Sequence, residues 1–163
     1  MKRIVIYFLI TIALASCGSN KKTVSASHSS KAKTHVNAKT KAIIKTALSY
    51  KGTRYKYGGT TKKGMDCSGL VYTSFKKGEV VLPRTSRAMS TQGTKISLKK
   101  VAIGDLLFFK TNKNKNRINH VGLVVSIGKQ IQFIHASTSK GVTVSSLDER
   151  YWNNCFAGVR RIL

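Results

Sequence analysis

Three side chains in this sequence could open an amide bond together: Cys67, His120 and His135. A thiolate is a strong nucleophile, and a neutral imidazole can take and return its proton. A second imidazole can hold the first in one tautomer. Cys67 lies in Met65-Asp66-Cys67-Ser68-Gly69-Leu70-Val71, where an aromatic, glycine-rich approach (Tyr55-Lys56-Tyr57-Gly58-Gly59) runs into an apolar-periodic stretch of Leu70, Val71 and Phe75. That pattern predicts a helix with Asp66 as N-cap and the thiol in its first turn. Free backbone N–H groups and the positive end of the dipole there favour thiolate over thiol. His120 opens the run 120–125 directly after a polar stretch, a rim position that suits a base meeting solvent and substrate. His135 lies in the run 133–137, on the next strand, where its ring can approach that of His120. Other readings stand beside this one. A lone cysteine is also a structural buried thiol, and either histidine is also an ordinary half-buried sheet residue. One Cys and two His also form a zinc ligand set, but no C-x-x-C or H-E-x-x-H spacing is present, and no metal or other cofactor is expected.

The elements that must position these groups follow from periodicity. Ile43, Ile44, Ala47 and Leu48 keep the 3.6-residue period up to Gly52, which predicts a first helix near residue 42 or a few residues before it. A loop over 53–65 turns at Gly58-Gly59 and Gly64, and a second helix runs over 67–77 with Gly78 past its end. Ser86 is placed to cap a short helix to Gln92. The second half changes to strands: 105–109, then 120–126, 130–137, 142–145 and 156–162. A basic loop over 110–119 lies among them, and a short helix or turn over 147–153. Asp105 reads as a turn buttress. Helices first and a strand meander after predict an α+β domain whose sheet is mostly antiparallel.

The 163 residues carry 30 Lys and Arg against five acids, a net charge of +25. Such a balance implies an anionic partner. Nucleic acid, anionic lipid and a carboxylate-rich cell wall all qualify, and the N-terminus separates them. Lys2-Arg3 precedes an apolar run over 4–15, too short for a comfortable membrane span, and then Leu14-Ala15-Ser16-Cys17-Gly18. Residues 1–16 read as a signal peptide, so nucleic acid is not the expected partner. Residues 17–41 are Ser, Thr, Lys, Asn and Ala with few large apolar side chains, and read as a disordered basic tether. His28 and His35 fall there, as solvated residues. The folded domain is expected over 42–163. Of the three cysteines, Cys155 is left over. It reads as a buried small hydrophobe, with a Cys67–Cys155 disulfide left open.

Two resemblances sharpen this reading. The stretch around Cys17 resembles the bacterial lipobox, which implies that Cys17 is the lipid-modified first residue of the mature chain. The following Gly18-Ser19 does not resemble an inner-membrane retention signal, which implies an outer-membrane anchor facing the periplasm. From residue 42 onward the chain resembles the NlpC-type family of bacterial cell-wall cysteine peptidases, which have a papain-like fold. The likeness rests on six stretches in order: 52–59, 66–70, 82–86, 104–109, 120–123 and 133–137. It implies Cys67 as nucleophile, His120 as general base, His135 as the residue orienting it, and Tyr55 as a hydroxyl at the oxyanion site. Asp66, Ser68, Arg84 and Ser86 match positions near the substrate groove, with Arg84 suited to a substrate carboxylate. Lys56 and the basic loop over 110–117 depart from the family pattern. The implied substrate is the peptide stem or cross-link of peptidoglycan. The γ-D-glutamyl–diaminopimelate bond comes first, and the D-alanyl–diaminopimelate cross-link second. A non-catalytic basic lipoprotein tethering membrane to wall, and an acyl transferase on the same fold, are the rival readings. A monomer is expected.

Overall fold

The computed structural model describes residues 36–112, 114 and 116–163. The expected signal peptide, the lipid site at Cys17 and the tether as far as residue 35 lie outside the described residues. Helix α1 spans Ala38–Leu48 and begins inside the stretch expected to be tether. Asn37 is the reason: its side chain accepts from the Thr40 backbone N–H at 2.7 Å, which caps the first turn. Thr40 is buried there, together with Ile43 and Ala47.

The loop after α1 carries a two-residue hairpin, β1 (Thr60–Thr61) and β2 (Gly64–Met65), and delivers the chain to α2 (Cys67–Lys77). Asp66 caps α2 by accepting from the Gly69 N–H at 2.6 Å, and Gly78 ends it, both as the sequence predicts. Gly69 is required by packing. A Cβ at that position would stand 2.0 Å from the Gly59 carbonyl oxygen, so only glycine lets α2 dock on the loop. Helix α3 covers Ser86–Met89, and its cap is Thr85 rather than Ser86: Thr85 Oγ1 accepts from the Ala88 N–H at 3.2 Å, and Ser86 is the first helical residue.

The sheet contains β3 (Thr94–Ile96), β4 (Leu106–Phe109), β5 (His120–Ser126), β6 (Gln132–Ser137), β7 (Gly141–Ser146) and β8 (Phe156–Arg161), in the order β3-β8-β4-β5-β6-β7 with every pairing antiparallel. Strands β4 to β7 form the expected meander, but β8 returns to pair between β3 and β4, and β3 itself was not anticipated. Between β7 and β8 lies α4 (Arg150–Cys155). The fold is α+β and papain-like, with helices packed on a mostly antiparallel sheet.

Two apolar clusters hold it. One joins α1 and α2 (Ile43, Ala47, Leu70, Val71, Phe75) to Leu106, Phe108, Val121, Leu123 and Ile134. The other gathers Leu107, Phe109, Val124, Phe133, Leu147, Trp152 and Val159. Alternation along the strands assigns odd and even residues to these two clusters, as period-two side-chain geometry demands. Asp105 is almost fully buried at the turn before β4, bound by the Arg161 guanidinium at 2.8 Å and by the Ala102 N–H at 2.8 Å, a buttress as expected. No helix among the described residues is long and apolar enough to cross a membrane.

Candidate active site

Cys67 enters the site as the first residue of α2, at 9% exposure. The backbone N–H groups of Val121, Ser68 and Cys67 itself favour a charged sulfur. Burial opposes them and dominates, and the Asp66 carboxylate beside the sulfur adds to it, so the thiol titrates above its ordinary value. The resting residue is therefore a thiol, not the thiolate that a helix start by itself predicts. The electrostatic benefit of the helix terminus is smaller here than the cost of burying the charge.

His120 is the first residue of β5, opposite Phe109 on β4. Leu123 pairs with Ile134; His120 is three residues from the first and His135 one from the second, so strand alternation turns both rings to the same face. There His120 Nε2 lies 3.1 Å from His135 Nδ1, and His135 Nε2 lies 3.2 Å from Ser145 Oγ on β7. Two proton arrangements satisfy this row. Only one leaves His120 able to accept a proton: His120 Nε2–H donates to His135 Nδ1, His135 Nε2–H donates to Ser145, and His120 Nδ1 carries a free lone pair. Burial lowers the pKa of His120 to about 4 and that of His135 to about 3, so both rings are neutral at neutral pH.

Trp152 of α4 explains much of that burial. Its indole stacks on His120 (centroids 5.1 Å, interplanar angle 25°) and meets His135 edge-on at 4.5 Å. Sequence reasoning missed both Trp152 and Ser145. The single tryptophan of the chain, in a segment read as a short helix or turn, was the available signal for the first. Ser145 had none.

Tyr55, half-buried on the loop that precedes α2, lines the same cavity as Cys67, His120 and His135, a space of about 420 Å³. Burial, then the Cys67 sulfur once it ionises and the Asp66 carboxylate, push its hydroxyl pKa up, which keeps it a donor. With the Cys67 backbone N–H, that hydroxyl can face an oxyanion. A second cavity of about 750 Å³ shares Tyr55, Cys67 and Asn119 with the first and adds Asp66, Ser68, Arg84 and Ser86. All the groove residues expected from the sequence thus meet on one side of Cys67.

Arg84 stands differently from its expected role. Its Nη1 and Nη2 reach Asp66 Oδ1 and Oδ2 at 3.0 Å each, and Nη1 also donates to Ser68 Oγ at 2.9 Å. Asp66 in turn accepts from the Gly58 and Gly69 backbone N–H groups at 2.7 and 2.6 Å. The pair braces the loop, α2 and the approach to α3 against one another. Cys67 and Cys155 are both free thiols, so the disulfide left open by the sequence is not formed. Cys155 is half-buried rather than buried, and its thiol donates to the Tyr151 carbonyl at 2.8 Å. Among the described residues no three of His, Cys, Asp and Glu converge to hold a metal ion.

A thiol at a helix start, facing an imidazole row on an antiparallel sheet, defines a papain-like cysteine-peptidase arrangement. Residues 52–161 match the NlpC/P60 family, and the chain belongs to that family. It is 44% identical over 124 residues to a probable endopeptidase NlpC homolog of Haemophilus influenzae, covering 76% of this chain and 63% of that one. It is 38% identical over 122 residues to the Escherichia coli murein DD-endopeptidase MepS/murein LD-carboxypeptidase, covering 74% and 62%. The match thus spans less than two thirds of either relative. A crystal structure of an NlpC/P60 family protein from Bacillus cereus superposes with a TM-score of 0.70 at 29% identity, over 76% of this chain and 40% of that one.

Proposed function

We propose that this chain is a peptidoglycan endopeptidase that cuts an amide bond of the stem peptide or cross-link with Cys67, His120 and His135. One observation carries the reading: a buried thiol, a tyrosine hydroxyl and a His120–His135–Ser145 hydrogen-bonded row line one cavity. His120 Nδ1 takes the thiol proton as the sulfur attacks the carbonyl carbon. The oxyanion that forms is met by the Cys67 N–H and the Tyr55 hydroxyl. The C–N bond then breaks, His120 returns the proton to the leaving amine, and a thioester remains. Water attacks the thioester, gives its proton to His120, and the acid and the thiol are released. Asp66, Ser68, Arg84 and Ser86 shape the groove, with Asp66 and Arg84 acting as a brace.

The sequence resemblance supports the γ-D-glutamyl–diaminopimelate bond. The name of the E. coli relative, murein DD-endopeptidase, supports a second reading, the D-alanyl–diaminopimelate cross-link. The leader and Cys17 support a lipid anchor in the cell envelope, at the outer membrane and facing the periplasm. The test is a digest of purified peptidoglycan by the full chain and by Cys67→Ala, with released fragments weighed by mass spectrometry. Fragments from the unmodified protein alone support the enzyme, and their masses name the bond. If neither protein releases fragments while both sediment with the wall, the chain is a non-catalytic tether. Products carrying an added amine in place of water would mark an acyl transferase.

A further inference from the structure

The two halves of the groove differ in charge. The cavity containing His120 and His135 is lined by one cation and one anion, Lys140 and Glu149, which offset each other. The cavity on the other side of Cys67 is lined by Arg84, Arg87, Arg117 and a single carboxylate, Asp66. Asp66 is already committed to Arg84 through both oxygens. Two guanidinium groups remain, Arg87 on α3 and Arg117 at the end of the basic loop. Both are exposed, and neither has a carboxylate within ion-pair distance among the described residues. The chain holds only five acids, and the other four (Glu79, Asp105, Asp148 and Glu149) do not line this cavity. Uncompensated guanidinium groups lining one cavity beside a nucleophile are receptors for carboxylate, in the bidentate geometry that arginine favours.

The chemistry says which half of the substrate meets it. His120 returns its proton to the leaving amine, and His120 lines only the cavity with Lys140 and Glu149. The amine half therefore leaves from that side, and the acyl half lies along Arg87 and Arg117. We propose that Arg87 and Arg117 form an anion clamp for a carboxylate on the acyl half of the substrate. Through it the protein selects stem peptides whose carboxylates are free over those in which they are amidated. The clamp rests on the reading that this groove takes peptidoglycan stem peptides.

The test separates the two. Full-length protein carrying Cys67→Ala is titrated calorimetrically with a γ-D-glutamyl–diaminopimelate stem peptide bearing a free glutamyl α-carboxylate, and with its α-carboxamide. The free acid is expected to bind about tenfold more tightly. Adding Arg87→Gln and Arg117→Gln removes that preference with thermal unfolding unchanged, and Arg87→Lys with Arg117→Lys restores part of it. Equal binding of acid and amide, a preference that survives the Gln pair, or binding of neither peptide would overturn the clamp. Cleavage is measured separately with Cys67 intact. Preferential binding without cleavage would sink hydrolysis of the γ-D-glutamyl–diaminopimelate bond and leave the clamp standing, whereas cleavage of both peptides at equal kcat/KM would do the reverse.

Discussion

At the scale of single residues, the proposed mechanism turns on one imidazole, His120, whose proton must sit on the correct nitrogen. Removing His135 frees His120 Nε2 and allows either tautomer. His135→Ala is expected to lower kcat by roughly 10³-fold with KM little changed. His135→Gln keeps an acceptor for Nε2–H and should recover part of that loss. Single-turnover kinetics on a defined stem peptide would check both. Trp152 acts through His120 as a positioning residue, because its ring keeps water from the imidazole. The base must be neutral, and burial holds the His120 pKa at about 4, so kcat/KM should fall as pH drops through about 4 rather than about 6.5. Trp152→Ala admits water, relieves the desolvation and lets that pKa climb back toward 6.5. The acid limb of the profile should then move up, and Trp152→Phe should hold it near its original place. A limb that stays put in Trp152→Ala would show that the indole packs against His120 without controlling its titration.

At the scale of elements, one carboxylate joins three segments. Asp66 caps α2, accepts from the Gly58 N–H of the preceding loop, and pairs with Arg84 ahead of α3. Asp66→Ala is expected to cost about 2–4 kcal/mol, the loss of a cap plus a charge-assisted pair. Asp66→Asn keeps an acceptor for the cap but pairs poorly with Arg84, and should cost less. Urea unfolding midpoints would rank the two. The cap was legible in the sequence because Asp66 directly precedes an apolar-periodic run that stops at Gly78, and every signal lies within a dozen residues. The strands of the meander were legible for the same reason. The Arg84 pair was not, because eighteen residues separate its partners, and a solvated turn arginine has the same local sequence as a bracing one. Strand β3 was hidden likewise: Thr94–Ile96 has almost no local pattern and is held as a strand by pairing with β8 more than sixty residues away. His120 and His135 were legible as strand residues. Which ring nitrogens meet, and that Trp152 covers them, depends on sheet register and on a helix returning from beyond β7. The helix start also misled in one respect. It favours a thiolate, and the burial of Cys67, with the Asp66 carboxylate beside the sulfur, reverses that preference.

At the scale of the whole molecule, the excess of Lys and Arg over acids bears on how the protein would be held at an anionic polymer. The sequence carries a net charge of +25, and of its five acids Asp66 and Asp105 are held in internal pairs with Arg84 and Arg161, so few carboxylates remain to offset the exposed Lys and Arg side chains of the described surface. An anionic wall polymer attracts such a surface over about a Debye length, which shrinks from roughly 10 Å at 0.1 M salt to roughly 3 Å at 1 M. Retention by insoluble peptidoglycan should therefore fall steeply with salt. Cleavage of a short soluble peptide depends on contacts within the groove, so it should fall far less. The two responses can be read from one preparation by sedimenting the protein with wall across a sodium chloride series and assaying peptide turnover at each concentration. Separation of the curves would mean that the basic surface concentrates the protein on its polymer while the groove performs recognition. Parallel curves would mean that wall retention is carried by the groove itself. Arg87→Gln with Arg117→Gln would then release the protein from the wall as fully as salt does.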